Sequence, residues 1–376
     1  MEEKKVERNA NFELLRIISM LFIVIYHMII HGQVLNNCTN KNLYIILTII
    51  KYITIIHVNS FVLLSGYYQS SGKFKQSKLW MLINSSFFYR ITIAIIMSAL
   101  GLAVLNKVDI IQILFPLNLT EYWYIKLFIF LYCLSPFLNK MIKTFTKKEY
   151  QKILLLLFFI LSTLPYITGS KAFENNGYTL YNFIFLYLIG GYLRKYPIRE
   201  GYWMKRFSKS FQQIIFICIF AICVILNVLI QNTSELFMGN SPLADEIFGN
   251  FLQMCIMYSN PIIIVQTIAY FLFFETLSLK SKIINFISNL TLGVYLIHDN
   301  SLIRQHLYTF LGISGTTINN MSFIPYLLFV SVIVFIVCAL IELIRQIIFK
   351  FIYNRKVSNK IREKYYRWLN SIKIYE

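Results

Sequence analysis

Charge is scarce in this chain, and acid is scarcer than base. Only 14% of the 376 residues are Asp, Glu, Lys or Arg, against 57% hydrophobic and 17% aromatic residues, and the mean hydropathy is +0.60. A soluble domain of this size does not look like that, whereas stacked membrane spans do. Acidic residues number 17 against 36 basic ones, a formal net charge of +19. The basic residues fall in short clusters between apolar runs, a pattern that fits the positive-inside rule better than a nucleic-acid groove. The six cysteines (Cys38, Cys133, Cys218, Cys223, Cys255 and Cys338) include no C-x-x-C pair, and five lie in apolar runs. Neither a disulfide scaffold nor a zinc site is indicated. The first apolar run has no small-residue cleavage exit and is long enough to span, so it reads as an anchor. A G-x-S-x-G elbow for a serine nucleophile is also missing. Internal repeats and paired Gly/Pro-broken spans, frequent in transporters, are not visible.

What remains is about ten apolar segments long enough to cross a bilayer: 12–31, 43–65, 79–105, 121–141, 153–168, 178–193, 211–230, 249–274, 284–299 and 323–349. With a cytoplasmic N-terminus, the inner gaps and tails hold 28 Lys and Arg and the outer gaps hold 4. That asymmetry predicts an all-α integral membrane protein of about ten transmembrane helices with both termini inside. The chain divides into a multi-span membrane domain, 1–350, and a basic aromatic tail, 351–376. The tail's loosely helical spacing predicts a surface helix on an anionic inner leaflet.

The first span, "NFELLRIISMLFIVIYHMIIHG", carries Arg16, His27 and His31. Ionisable groups inside a bilayer are costly unless they face protein or a watery cavity. Eleven helical steps of about 100° return His27 to within about 20° of Arg16, on the same helix face and about 16 Å further along. The two side chains cannot meet one reacting atom, yet they can hold two ends of one long anionic molecule. Acyl-coenzyme A has that shape, and a neutral imidazole is a usable general base near neutral pH. The structural alternative is that Arg16 snorkels to the interface and His27 bonds a neighbouring helix.

Arg, ten residues, then His on a first span resembles the signature of the membrane-bound acyltransferase-3 family. Three further stretches match in order. "NSFVLLSGYY" (59–68) resembles the family's F-F-V-L-S-G-Y segment, "EYWYIKLFIFLYCLSPFLNK" (121–140) its Trp-Tyr-Leu segment, and "SNLTLGVYLIHDNSLIR" (288–304) its late Y-L-I-H segment. The resemblance implies O-acylation of cell-surface carbohydrate. It implies catalysis by His27 and Arg16, acetyl-CoA as donor and no metal. The partners it implies are acyl-CoA, a polysaccharide or lipid-linked sugar, and membrane lipids, with no nucleic acid. The location it implies is a bacterial plasma membrane. One departure stands out: the family often carries two arginines three residues apart near the third span, and "SSFFYRITI" has Arg90 with Phe87 at the partner position. Arg90 is read either as coenzyme-binding or as a structural partner of Glu342.

The remaining candidates each admit a bland reading. His298-Asp299 binds sugar hydroxyls or orients a base, or is a helix-terminal polar pair in water. His31 supports His27 or meets water at the surface. Trp123 stacks on a sugar, or belongs with Tyr122 to an interfacial aromatic belt. His57 is a lone intramembrane or boundary histidine, and Ser65-Gly66 reads as a small-residue helix contact rather than a nucleophile. Glu235, Asp245 and Glu246 in the gap 231–248 are a carboxylate pair for glycosidic chemistry or solvated loop charges. The alternative function is a transporter or flippase of a lipid-linked or polymeric saccharide.

Overall fold

The computed structural model describes residues 9–114, 122–168, 177–315 and 317–353. These residues are all-helical, in chain order α1 (Ala10–His31), α2 (Lys41–Thr54), α3 (His57–Gln69), α4 (Gln76–Ala99) and α5 (Lys107–Leu114). They continue with α6 (Trp123–Thr144), α7 (Lys147–Phe158), α8 (Leu164–Thr168), α9 (Leu180–Lys195), α10 (Lys209–Phe237) and α11 (Pro242–Cys255). The last five are α12 (Pro261–Thr276), α13 (Lys282–Ser288), α14 (Thr291–His298), α15 (Ser301–Phe310) and α16 (Phe323–Tyr353). Most of the tail, 354–376, lies outside the described residues.

Among the described residues, six stretches are long and apolar enough to cross a membrane: α1, α2 with α3, α4, α6, α10 and α16 through Phe351. The other four expected segments are shorter or interrupted, and each interruption has a local cause. In 153–168, Pro165 has no N–H to give the Leu161 carbonyl, and the helix opens into a π-turn at Phe159–Thr163 before α8. The segment 178–193 is the 16-residue α9. The segment 249–274 breaks ahead of Pro261, where the Asn260 side chain accepts from the Ile262 amide and starts α12 afresh. The segment 284–299 is divided at Asn289 and Leu290 into α13 and α14. A proline need not break a span: Pro136 sits inside α6, and the Tyr132 carbonyl it strands accepts the Ser135 hydroxyl at 2.7 Å.

Helix α1 runs through the middle. It packs on α2, α3, α12, α13, α14, α15 and α16. One side contributes Met20, Ile23 and Val24 to a core shared with α4, α14 and α16. The other contributes Phe12, Leu15 and Tyr26 to a core shared with α3, α9 and α12. The side chains that point between these two cores are therefore held on both flanks.

Backbone approach sets the position of α3. A Cβ at Gly66 would strike the Tyr187 carbonyl, and one at Gly190 would strike the Leu63 carbonyl and come within 2.7 Å of the Tyr67 nitrogen. Small residues that let helix backbones touch are the usual device of membrane bundles, so Ser65-Gly66 is a packing element. Gly190→Leu should therefore destabilise the folded chain by about 1–3 kcal/mol, read as a lowered Tm in detergent with membrane insertion retained. Gly249→Ala, where an added Cβ meets nothing within 4 Å, should leave Tm unchanged. An unaltered Tm in Gly190→Leu would show that the α3–α9 contact is not close.

Candidate active site

Four of the five histidines meet around the C-terminal third of α1. The ring centroid of His27 lies 4.9 Å from His31, 5.3 Å from His298 and 6.2 Å from His57. His27 and His31 come from successive turns of α1, His57 from the first residue of α3, and His298 from the last of α14. The sequence places these residues as much as 271 positions apart, and only the fold assembles them.

Their hydrogen bonds fix the rings. His57 Nδ1 donates to the Thr54 carbonyl at 2.7 Å, so its Nε2 accepts the Tyr258 hydroxyl at 3.2 Å. His298 Nδ1 donates to the Val294 carbonyl at 2.6 Å, which leaves Nε2 as an acceptor with no hydrogen bond among the described residues. His27 differs from both. Its Nδ1 lies 3.3 Å from Asp299 Oδ1, at ion-pair distance but without hydrogen-bond alignment. The Asp299 side chain is 4% exposed and also receives Arg304 Nη1 at 3.1 Å. A base whose one nitrogen faces a buried carboxylate presents the other to a substrate, the arrangement general bases need.

The face argument for α1 holds in three dimensions. Arg16 and His27 line one cavity of about 360 Å³, together with His57, Trp123, Tyr258 and Arg345. Arg16 is a third exposed and pairs with Glu13 at 3.1 Å, one turn before it. The cavity's apolar wall comes from Met20, Ile23, Phe61, Leu82 and Phe128. A polar group at each end with an apolar middle suits a long amphipathic ligand.

Trp123 also lines this cavity. Its ring lies 4.3 Å from Tyr178 and stacks at 6.0 Å on Tyr258. The belt reading is corrected for Tyr122, which is fully buried and donates to the Leu296 carbonyl at 2.7 Å. His298 and Asp299 are also buried, so they are not a solvated helix end. His31 is exposed and stacks near Tyr308 at 6.1 Å. Arg90 is placed elsewhere: it is 3% exposed, donates to the Gln112 carbonyl and lines a second cavity, away from Arg16. Glu342 takes its hydrogen bonds from Tyr89 at 2.5 Å, Arg345 and Gln346. Of the loop carboxylates, Glu235 accepts from Tyr44 and Gln231 and Asp245 from the Gly239 amide.

Sequence reasoning missed Tyr258, Arg304 and Arg345 as site residues. Nothing in their local patterns distinguishes them from a buried tyrosine and two ordinary boundary arginines. The donor atoms of His27, His31 and Asp299 lie within 4.8 Å of one another, close enough for a metal ion to bridge. A cation there would compete with the Arg304 guanidinium for the same Asp299 oxygen.

A family model described as an acyltransferase domain, the acyltransferase-3 type, matches residues 9–343. The chain belongs to the acyltransferase-3 family. No curated protein and no solved structure matches it. The family match spans all four motif segments and both ends of the Arg16–His27 cavity, and it makes the protein a membrane acyltransferase.

Asp299 Oδ1, 3.3 Å from His27 Nδ1, stands where a carboxylate would orient His27 if His27 is the base of the acyltransferase. Asp299→Asn keeps the shape and removes the charge. It should lower kcat by about 10²–10⁴-fold while leaving the KM for the acyl donor unchanged. Loss of donor affinity with kcat preserved would instead place Asp299 in ligand binding.

Proposed function

We propose that this acyltransferase moves an acetyl group from cytoplasmic acetyl-CoA to a hydroxyl of a cell-surface or exopolysaccharide sugar, in a bacterial plasma membrane. The observation that carries this reading is the shared cavity: Arg16 near one end of α1, His27 near the other, and a mainly apolar passage between. The positive-inside asymmetry supports this reading, in which the Arg16 end faces the cytoplasm and takes the coenzyme, and the His27 end faces the outer surface and takes the acceptor.

In this reading Arg16, with Arg345 beside the same cavity, holds the phosphate-bearing end of the coenzyme. Arginine suits that task because its planar fork meets phosphate oxygens in pairs. The pantetheine arm lies along the apolar wall and brings the thioester to His27. The free nitrogen of His27 takes the proton of the sugar hydroxyl as the oxygen attacks the thioester carbonyl. The tetrahedral intermediate collapses, the C–S bond breaks, and the imidazolium returns the proton to the coenzyme thiolate. Sugar ester and free CoA leave in equal amounts, with no net proton change. Asp299 stabilises the imidazolium through the middle of this sequence. Trp123, His31 and His298 are the proposed neighbours of the sugar, since aromatic faces and imidazoles suit sugar rings and hydroxyls.

The test is release of free CoA, with ester formation on the glycan, by purified full-length protein given acetyl-CoA and candidate acceptors. His27→Ala should abolish transfer while the protein still folds and inserts. A variant retaining more than about a tenth of the wild-type rate would remove His27 from the role of base, because loss of a general base costs about 10²–10⁴-fold. Arg16→Lys keeps charge but loses the fork. It should raise the KM for acetyl-CoA about tenfold, the loss of one charge-assisted hydrogen bond, with kcat little altered. An unchanged KM in both Arg16→Lys and Arg16→Ala would leave Arg16 a structural partner of Glu13.

A further inference from the structure

His27 and His31 stand four positions apart on α1, with ring centroids 4.9 Å apart. Side chains at that spacing share a helix face and can hold one ion between them, as zinc-binding helices do. A third group arrives from far along the chain. Asp299, which follows α14, puts Oδ1 3.3 Å from His27 Nδ1. One donor atom from each of the three side chains lies within 4.8 Å of the others. Nitrogen and oxygen ligands at about 2.0–2.2 Å from a tetrahedral zinc ion stand about 3.3–3.6 Å from one another. The His27–Asp299 pair already has that separation.

His27 Nδ1 is the telling atom. It is buried and makes no hydrogen bond among the described residues, although Asp299 Oδ1 is near enough. Buried polar nitrogens seldom stay unmatched. A nitrogen that approaches a carboxylate without hydrogen-bond alignment is placed as two ligands of one ion are. The set is also reachable, because His31 is exposed and its ring can turn the remaining distance. Arg304 Nη1 meets the same Asp299 oxygen at 3.1 Å. That contact sets the strength of the site rather than closing it. Metal-bound carboxylates are ordinarily hydrogen-bonded by a further shell, but the guanidinium also brings a positive charge near the ion. The two imidazoles carry no charge to offset it. The ion must therefore be one that takes imidazole nitrogen well, as Zn²⁺ does and Mg²⁺ does not.

We infer that His27, His31 and Asp299 form an inhibitory site for a divalent transition-metal ion, Zn²⁺ above all, at the C-terminal end of α1. The ion is an inhibitor here, not a cofactor. An imidazole that gives its Nδ1 lone pair to a metal keeps its proton on Nε2. His27 then has no lone pair left for the proton of an acceptor hydroxyl, and transfer stops while the ion is bound. Inhibition rests on the acyl-transfer reading, whereas metal binding rests on the three side chains alone. In that reading this end of α1 faces the outer surface, so the site answers to metal outside the cell.

The experiment measures binding on the full chain without an affinity tag, in nanodiscs, with neither acyl donor nor acceptor present. Zn²⁺ is titrated by calorimetry, and Co²⁺ serves as its optical substitute. One Zn²⁺ should bind per chain, and Mg²⁺ should not compete. Loss of an outer-shell partner weakens metal sites by about 10–100-fold, so loss of a ligand in His31→Ala or Asp299→Asn should weaken binding at least tenfold. His31→Cys restores a ligand, so it should recover zinc binding and alter the Co²⁺ spectrum through its thiolate. His306→Ala is the control: this fifth histidine donates to the Leu102 carbonyl at 3.0 Å, and its loss should leave zinc binding unchanged. In the rate assay, Zn²⁺ should stop CoA release and EDTA should restore it. Absent zinc binding, binding undiminished in His31→Ala or lost in His306→Ala, or an undiminished rate at saturating zinc would each overturn the inference. Failure of the acyl-transfer reading shows separately, as absent CoA release by the metal-free protein with every acceptor.

Discussion

An ionisable side chain inside an apolar bundle has to find its partners in protein, because lipid offers none. Helix α1 concentrates that constraint. It carries Glu13, Arg16, His27 and His31 within 19 residues and lies at the centre of the helix packing. Each of these groups is answered: Glu13 and Arg16 pair with each other at 3.1 Å, His27 faces Asp299 at 3.3 Å, and His31 lies against His27 and Tyr308. The same rule governs groups far from the site. Lys51, 3% exposed, reaches the Gln231 amide oxygen at 2.5 Å, and Tyr52 joins it there at 2.7 Å. The helices that surround α1 are placed where they satisfy it. The site is what that satisfaction leaves open.

This dependence explains which parts of the molecule were legible in the sequence. Helical periodicity alone put Arg16 and His27 on one face, and they do line one cavity. That inference is local, since both residues belong to one rigid helix. The family, too, could be read from short motifs in order. Hydropathy was less informative about helix continuity, because Pro165, Asn260 and Asn289 interrupt runs that remain apolar on either side. The histidine cluster was hidden for a different reason. His57 and His298 reach His27 only through the packing of α3 and α14 on α1, and no spacing along the chain records that. Tyr122 was misread as a belt residue because an aromatic residue at a span end has the same composition whether it meets headgroups or packs inside the protein.

Asp299 is the point where the two cavities come together. Its carboxylate stands between His27, which lines the first, and Arg304, which lines the second. A carboxylate shared by a base and a guanidinium divides its field between them. Whatever draws Arg304 toward a ligand strengthens what Asp299 can do for an imidazolium, and whatever returns Arg304 weakens it. One side chain can therefore relate occupancy on one side of the histidines to basicity on the other, without any helix moving.

The broken segment 282–310 shows why the fold accepts irregular backbone at this depth. Three short helices occupy a length that one long helix would cross more simply, and the breaks expose backbone polar groups that a lipid-facing span could not tolerate. Both breaks are paid for by protein partners: Gln346 donates to the Asn289 carbonyl at 3.3 Å, and Asn300 bonds Tyr122 at 2.9 Å while capping α15. Each break also opens on a cavity. Ser288, Asn289 and Thr291 line the first, and Asn300, Ser301 and Leu302 line the second. Between the breaks, α14 is just long enough to carry Tyr295 into the first cavity and His298 to the side of His27. A continuous helix would have kept its polar termini at the membrane surfaces. Interrupting it twice brings two helix ends, with their amides and carbonyls, to the level of the histidines, beside the two cavities.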